Sequence, residues 1–128
     1  MNFNVFHGHE YLNLKTFRKS GEAILTPVWF AQVGDTLFIT TEPQAGKVKR
    51  MRNNGSVEIA ACDQVGNLLG DWQPAQAQVL TDEAQCQRAH ELLFAKYSAS
   101  EMMQNLANVP LMARAFIQVV PVGASLLK

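Results

Sequence analysis

Apolar and polar residues alternate along three segments in the first third of the chain. The segments read YLNLKTFRK, EAILTPVWFAQV and TLFITT, and the turn-forming dipeptides SG and GD separate them. In the first segment Leu12, Leu14 and Thr16 share one face, while Asn13 and Lys15 point away from it. This pattern predicts three β-strands of a meander.

The second segment contains a proline in its interior. Because Pro27 has no N–H group, it cannot donate to a ladder of backbone hydrogen bonds. We therefore predict that this strand lies at the edge of its sheet or is bulged at Thr26 and Pro27. Backbone polar groups near Pro27 then become free for other partners.

The hydrophobic period changes from two to three residues after the third segment. Ala45, Val48 and Met51 recur at this spacing, which predicts a short helix over residues 45–53 with Val48 and Met51 turned towards the core. The sequence NNG follows at once and predicts that the helix ends in a left-handed turn.

The remaining chain combines extended and helical patterns. SVEIAACD and GDWQPAQAQVL predict two strands joined by a hairpin loop around residues 65–67. Asp82 and Gln85 have the spacing of a capping box before a helix that ends near Lys96. The apolar face of this helix consists of Cys86, Ala89, His90, Leu93 and Tyr97. A second helix or turn is predicted over residues 99–108, and ARAFIQVVPV predicts the last strand.

About six mostly antiparallel strands with helices at two points favour a small barrel over a β-sandwich. The length of 128 residues fits a single domain over positions 1–128. Zero formal net charge argues against general nucleic-acid binding. Since the N-terminus lacks the pattern of a signal peptide and no apolar run approaches a membrane span, we expect a soluble cytoplasmic protein without a membrane partner.

The main electrostatic feature is a cluster of four cations. Lys47, Lys49, Arg50 and Arg52 lie within six consecutive positions, and no acidic residue occurs between positions 43 and 57. On the predicted helix Lys47 and Arg50 lie on one side, and Lys49 and Arg52 form a second pair.

The start of the same helix favours an anion. Gly46 opens the helix, where free backbone N–H groups and the positive end of the helix dipole are found. Thr40 and Thr41 end the preceding strand and add hydroxyl donors. Together with the cations these features predict a phosphate site. The alternative is that the four cations form only the solvated face of a short helix.

The sequence resembles a known family between about residues 11 and 80. The motifs that carry the resemblance are Thr-Phe-Arg-Lys, Thr-Pro-Val-Trp-Phe, Gly-Lys-Val-Lys-Arg, and Cys-Asp ahead of Gly-x-Trp. They are similar to those of the pyridoxamine 5'-phosphate oxidase-like proteins, small flavin- and deazaflavin-binding split barrels, and in particular to their F420-dependent branch.

The resemblance implies a six-stranded antiparallel split β-barrel, mainly β with helices, that forms a homodimer. It further implies a flat cofactor, FMN or coenzyme F420, in each of two grooves between the subunits. The phosphate would lie against Thr40, Thr41, Lys47, Lys49 and Arg50. The ring system would lie along Thr26, Pro27, Val28 and Trp29, and Trp72 would form a wall from the partner subunit.

The function that follows is an oxidoreductase that transfers hydride to or from a small conjugated substrate. We assign no catalytic acid or base, because a flavin or deazaflavin carries the hydride chemistry itself. The alternative role of Trp29 and Trp72 is packing in the core or at the interface. The alternative for Arg52 is that it is only solvated. His7 and His9 lack further ligands nearby in sequence, so we expect no metal.

Two other functions remain open at this point. The first is a split barrel that binds flavin, haem or another tetrapyrrole without turnover. The second is a barrel that binds single-stranded nucleic acid through the cationic helix, which would show as steeply salt-dependent binding.

Overall fold

The computed structural model describes residues 2–123 and contains seven strands and three α-helices. The strands are β1 (Tyr11–Phe17), β2 (Ala23–Trp29), β3 (Ala31–Val33), β4 (Thr36–Thr41), β5 (Ser56–Cys62), β6 (Gln73–Val79) and β7 (Ala115–Pro121). The helices are α1 (Gly46–Asn53), α2 (Glu83–Tyr97) and α3 (Glu101–Leu106), and short 3₁₀ turns occur at Asn4–Phe6 and Leu111–Ala113. None of the helices in this part of the chain is long and apolar enough to span a membrane.

All seven strands belong to one antiparallel sheet with the order β2-β1-β5-β6-β7-β4-β3. The strands at its two edges, β2 and β3, are separated in sequence by Phe30 alone. The chain therefore links the two edges directly, and the sheet curls into a half-barrel. The predicted second strand, residues 22–33, is divided at Phe30 because its two halves pair with different neighbours, which gives seven strands where six were predicted.

The edge position of Pro27 is confirmed. β2 pairs with β1 from Tyr11 opposite Trp29 to Phe17 opposite Ala23 without an extra residue on either strand, so no bulge is present. The other edge of β2 pairs with no strand among residues 2–123. Its backbone polar groups on that side therefore lie outside the sheet ladder.

Strand alternation produces two hydrophobic cores, one on each face of the curled sheet. Leu12, Leu14 and Ile117 belong to the core inside the curl, whereas Phe116 belongs to the core under α2. The face of α2 predicted from sequence supplies Cys86, Ala89, Leu93 and Tyr97 to this second core, and His90 is half-buried beside them. Burial of each large apolar side chain contributes about 1.5–3 kcal/mol, so both layers stabilise the curled sheet.

Helix α1 has the predicted buried face but ends differently from the prediction. Val48 and Met51 are buried. Asn54 follows in an extended conformation, with φ −148°, so the predicted left-handed turn is wrong. Gly55 is required for another reason: a Cβ atom there would lie 2.7 Å from the carbonyl oxygen of Ala77. The close approach of β6, and not the helix end, accounts for this glycine.

The outer face of β1 is less exposed than its sequence indicates. Asn13 points away from Leu12 and Leu14 as predicted, yet it is buried. The loop between β5 and β6 covers it, since Asn13 Nδ2 donates to the carbonyl oxygen of Gly66 at 3.0 Å. Pro27, which pairs with Asn13 across the ladder, lies against the same loop.

Candidate functional site

The end of β4, the loop that follows it, the first turn of α1 and residues from the segment 106–114 border a solvent-open cavity of about 590 Å³, and Glu42 lies in its lining. Thr40 and Thr41 line it from β4, and Lys47 lines it from α1. Arg114, which precedes β7, lines the opposite side together with Val109. Three residues of the predicted phosphate site are thus brought together, with one arginine that the prediction did not include.

The threonines reach the cavity because they are the last two residues of β4. Thr40 pairs with Phe116 and Thr41 with Ala115 across the ladder to β7. The hydroxyl of Thr40 donates to the carbonyl oxygen of Ala115 at 3.1 Å, which fixes its orientation. Both threonines are half-buried, so their hydroxyl groups lie in the wall of the cavity rather than in bulk solvent.

Lys47 stands in the first turn of α1, near the positive end of the helix dipole. No acidic residue is present in this turn, and Ala45 supplies no side-chain cap. Burial lowers the pKa of Lys47, the nearby charge of Arg50 lowers it further, and Glu42 opposes this shift. The environment therefore disfavours the ammonium charge, and an anion bound in the cavity would relieve that cost.

Arg114 is the buried cation of the site, with 7% of its surface exposed. Its Nη1 lies 2.9 Å from Nδ1 of His90 on α2, and its guanidinium carbon lies 4.7 Å from the ring centroid of Phe116. The buried Nε and Nη2 atoms have no hydrogen-bond partner among the described residues. Burial lowers the pKa of this guanidinium, yet arginine remains charged in proteins.

His90 provides the contact that holds Arg114. Burial and the neighbouring charge of Arg114 lower the pKa of His90, so the neutral ring is favoured. A neutral ring whose Nδ1 accepts from the guanidinium carries its proton on Nε2. The sequence placed His90 on the apolar face of α2, and its partner 24 positions away could not be seen from that spacing.

The other three cations of α1 do not line this cavity. Nε of Arg50 donates to the hydroxyl of Thr16 at 2.7 Å, and Arg50 borders a separate depression near the turn between β1 and β2. The side chains of Lys49 and Arg52 are exposed and form no ion pair within the described part of the chain. Of the predicted cluster, Lys47 therefore borders the cavity, Arg50 borders the depression, and the other two cations face solvent.

The predicted ring-binding strand lies outside the cavity too. Thr26, Pro27 and Val28 are on the edge strand β2. The ring of Trp29 stacks on Tyr97 with a centroid separation of 4.4 Å and an angle of 9°. One face of Trp29 is consequently occupied by α2.

Tyr97 and Lys96 form hydrogen bonds with the backbone where β2 separates from β3. The hydroxyl of Tyr97 accepts from the backbone N–H of Phe30 at 3.1 Å and lies 2.6 Å from the carbonyl oxygen of Glu10, to which it can donate. Nζ of Lys96 donates to the carbonyl oxygen of Phe30 at 2.8 Å. Burial raises the pKa of Tyr97 and lowers the pKa of Lys96 to about 8. The end of α2 thus provides hydrogen-bond partners for the N–H and the carbonyl oxygen of Phe30, the residue between β2 and β3.

Trp72 lies before β6, and its ring centroid is 4.1 Å from Nζ of Lys15 on the outer face of β1. It does not border the cavity.

Cys62 and Cys86 are buried, and burial raises the pKa of both thiols, so neither is an activated nucleophile.

The chemistry that the cavity offers is anion binding. Lys47 and Arg114 supply positive charge, Glu42 supplies one negative charge, and the threonine hydroxyls supply neutral donors. Charge-assisted bonds to carboxylate or phosphate are the strongest that a guanidinium makes. The Nε and Nη2 atoms of Arg114 are, however, buried and not exposed to the cavity.

No protein-family model matches the sequence, and no curated protein matches it. Solved structures match over most of the chain. An F420 reductase has 18% identity and a TM-score of 0.66, over 96% of this chain and 95% of the other. HutZ, the heme storage protein of Vibrio cholerae, has 15% identity and a TM-score of 0.70, over 97% of this chain and 93% of the other.

A provisionally assigned pyridoxamine 5'-phosphate oxidase from Listeria innocua has 15% identity and a TM-score of 0.69, over 92% of this chain and 88% of the other. At these identities the similarity is one of fold. The chain has the split-barrel fold of the pyridoxamine 5'-phosphate oxidase-like proteins, and the resemblance seen in the sequence is confirmed at that level.

Proposed function

We propose that the protein is an oxidoreductase that binds FMN or coenzyme F420 and transfers hydride to or from a small conjugated substrate. The observation that carries the proposal is the cavity in which Thr41, Lys47 and Arg114 converge. Its two cations and the threonine hydroxyl can bind an oxyanion beside the carboxylate of Glu42, and both cofactors carry a phosphate. The similarity in fold to an F420 reductase also supports the proposal.

The residues present fit such a cofactor in two places. Lys47 and the hydroxyl of Thr41 would hold the phosphate, because ammonium and hydroxyl groups donate to phosphate oxygens. The free edge of β2, near Thr26 and Pro27, would meet the polar edge of the ring with its backbone groups. The cofactor supplies the hydride chemistry, and the chain binds it, orients it and excludes water.

A homodimer is part of the same proposal. Neither the free edge of β2 nor Trp72 borders the phosphate cavity, so one chain alone does not enclose a ring system. A second chain would supply the missing wall. The role of Trp72 in that wall stays a prediction.

Titration of the cofactor-free protein with FMN, and separately with F420, tests the proposal by fluorescence. Sedimentation on the same samples gives the number of subunits. We expect tight binding of one cofactor per subunit in a dimer, followed by reduction or oxidation of the bound cofactor by a suitable donor or acceptor. If neither cofactor binds, the oxidoreductase proposal is wrong.

The second candidate function is the binding of haem or another tetrapyrrole without turnover. The similarity to HutZ, a heme storage protein, favours it. Haem titration followed by absorbance separates the two functions. Tight haem binding without flavin or F420 binding would select the tetrapyrrole, whereas tight binding of FMN or F420 alone would select the oxidoreductase.

A further inference from the structure

The amino group of Lys96 is partly enclosed, although the residue as a whole lies at the surface. Lys96 is exposed and borders an open depression of about 480 Å³. Its Nζ atom lies 3.6 Å from the ring centroid of Phe30, which is fully buried. The hydrogen bond from Nζ to the carbonyl oxygen of His9, at 2.7 Å, is solvent-exposed. One side of the amino group therefore meets apolar surface, and the other side is open to a small reagent.

The charges around this amino group do not hold it in the protonated form. No carboxylate lies within ion-pair distance of Lys96 among residues 2–123. The titratable groups that border the depression with it are His9, Glu10 and Tyr97. Glu10 raises the pKa of Lys96, but burial outweighs this effect and lowers the pKa to about 8. Near pH 7.5 the neutral fraction of the amine is on the order of a hundredfold larger than in a lysine with the ordinary pKa.

Lys96 also donates hydrogen bonds on which the neighbouring backbone depends. Its Nζ donates to the carbonyl oxygens of His9 and Phe30, at 2.7 and 2.8 Å. The single proton of the Tyr97 hydroxyl can go either to Phe30 or to Glu10, whose carbonyl oxygens lie 2.9 and 2.6 Å away. Because Lys96 already donates to Phe30, the tyrosine can donate to Glu10. Three carbonyl oxygens thus share the donors of two side chains.

We propose that Lys96 is the preferred site of N-acylation in the folded protein, that an acyl phosphate is the acyl donor, and that the modification loosens residues 9–10 from the end of α2. In this reaction the neutral Nζ attacks the carbonyl carbon of the acyl group, and a C–N bond forms. The C–O bond to the phosphate breaks, the phosphate leaves with the electron pair, and the nitrogen gives one proton to the solvent.

The loosening follows from the number of donors that remain. The acylated nitrogen has one N–H and no charge, and the Tyr97 hydroxyl has one O–H. These two donors cannot serve the carbonyl oxygens of His9, Glu10 and Phe30 together. His9 and Glu10 directly precede β1, so the loss of a donor weakens the attachment of the N-terminal segment to α2. Neither FMN nor F420 takes part in this inference.

Acetyl phosphate tests the inference on the full chain without any cofactor. We would follow the acetylation of each lysine by peptide mass spectrometry from about pH 7 to about pH 10, a range that includes the pKa of Lys96 and approaches that of ordinary lysines. The matched control is Lys49, an exposed lysine on α1. The same reaction in guanidinium chloride gives the rate of each lysine in the unfolded chain.

In the folded protein near pH 7.5, we expect Lys96 to react at least about fivefold faster than Lys49 and than Lys96 of the unfolded chain. Its rate should level off above about pH 8, whereas the rate at Lys49 should rise up to about pH 10. Lys96→Met removes the donors of the amino group, and Lys96→Arg keeps donors. Hydrogen exchange in the N-terminal peptide that ends at Leu12 should be at least about twofold faster in Lys96→Met than in Lys96→Arg.

Acetylation of Lys96 no faster than that of Lys49, or rates at the two lysines that rise in parallel over the whole pH range, would overturn the preferred site. Equal hydrogen exchange in the two Lys96 variants would overturn the loosening. If Lys96→Met is unfolded, acetylated and unacetylated wild type are compared instead, and equal exchange in these two samples contradicts the loosening. Failure of FMN and F420 to bind would reject the proposed function and leave this inference standing.

Discussion

Removal of one hydroxyl group tests how the two edges of the sheet are joined. In Tyr97→Phe the ring remains and can still stack on Trp29, 4.4 Å away. The backbone N–H of Phe30 loses its acceptor, while its carbonyl oxygen keeps the bond from Lys96. A buried donor left unsatisfied costs about 1–3 kcal/mol. We expect the free energy of unfolding to fall by roughly this amount in urea denaturation followed by tryptophan fluorescence, with an unchanged m-value.

The second tyrosine of the chain provides the matched control. Tyr11 is half-buried on β1, and its hydroxyl makes no hydrogen bond within residues 2–123. Tyr11→Phe should therefore change the free energy of unfolding by less than about 0.5 kcal/mol, as ordinary surface substitutions do. If Tyr97→Phe is destabilised no more than Tyr11→Phe, the inferred role of Tyr97 at the junction of β2 and β3 is wrong.

Two further predictions concern the close approach at Gly55 and the protonation of His90. Gly55→Ala places a Cβ atom 2.7 Å from the carbonyl oxygen of Ala77, so we expect a loss of about 1–3 kcal/mol in urea denaturation. Gly70→Ala, whose Cβ would lie 3.8 Å from the nearest atom, should be well tolerated, and equal losses in the two variants would contradict the close approach of β6 to Gly55. Burial and Arg114 lower the pKa of His90 below its value of 6.5 in the unfolded chain. At pH values between the two pKa values, the unfolded chain binds more protons than the folded chain. The contribution of His90 to the free energy of unfolding should therefore be complete above pH 6.5 and decrease as the pH is lowered, with a slope of up to about 1.4 kcal/mol per pH unit. His90→Asn should remove this part of the slope, and an unchanged pH profile would show that His90 titrates normally.

Local patterns were sufficient for much of the fold. The three-residue period of Val48 and Met51 placed α1 to within one residue at its start, because one turn of helix brings such positions to the same face. The position of Pro27 identified an edge strand, because a proline lacks the N–H group that a central strand needs. Both features depend on residues close together in sequence.

Features that depend on tertiary pairing could not be predicted in this way. The division of the second strand at Phe30 arises because β2 pairs with β1 while β3 pairs with β4. Nothing in the alternation of the segment marks the residue at which the partner changes. At this division the N–H of Phe30 donates to Tyr97 and its carbonyl oxygen accepts from Lys96, and both partners lie on a helix more than sixty positions later.

The candidate site shows the same limit. Sequence spacing placed Lys47 and Arg50 on one side of a helix, but a bond to Thr16 draws Arg50 to a different depression. The sequence did not identify Arg114 as a site residue, because its environment depends on a contact with His90, which lies on another element. The only local signal was a charged residue directly before the strongly apolar strand AFIQVV, at a position that proved to be buried.

The ratio of FMN to riboflavin affinity in the wild type, Lys47→Ala and Lys49→Ala tests whether the cavity beside Lys47 binds the cofactor phosphate. The two flavins differ only in the phosphate, and the two lysines share one helix, but only Lys47 lines the cavity. A charge-assisted bond of about 1.5–3 kcal/mol corresponds to roughly a tenfold to hundredfold change in affinity. We predict that Lys47→Ala weakens FMN binding by this factor and leaves riboflavin binding unchanged, with Lys49→Ala behaving as the wild type. Equal effects of the two lysine variants on FMN, or equal losses for FMN and riboflavin in Lys47→Ala, would contradict the assignment of the cavity as the phosphate site.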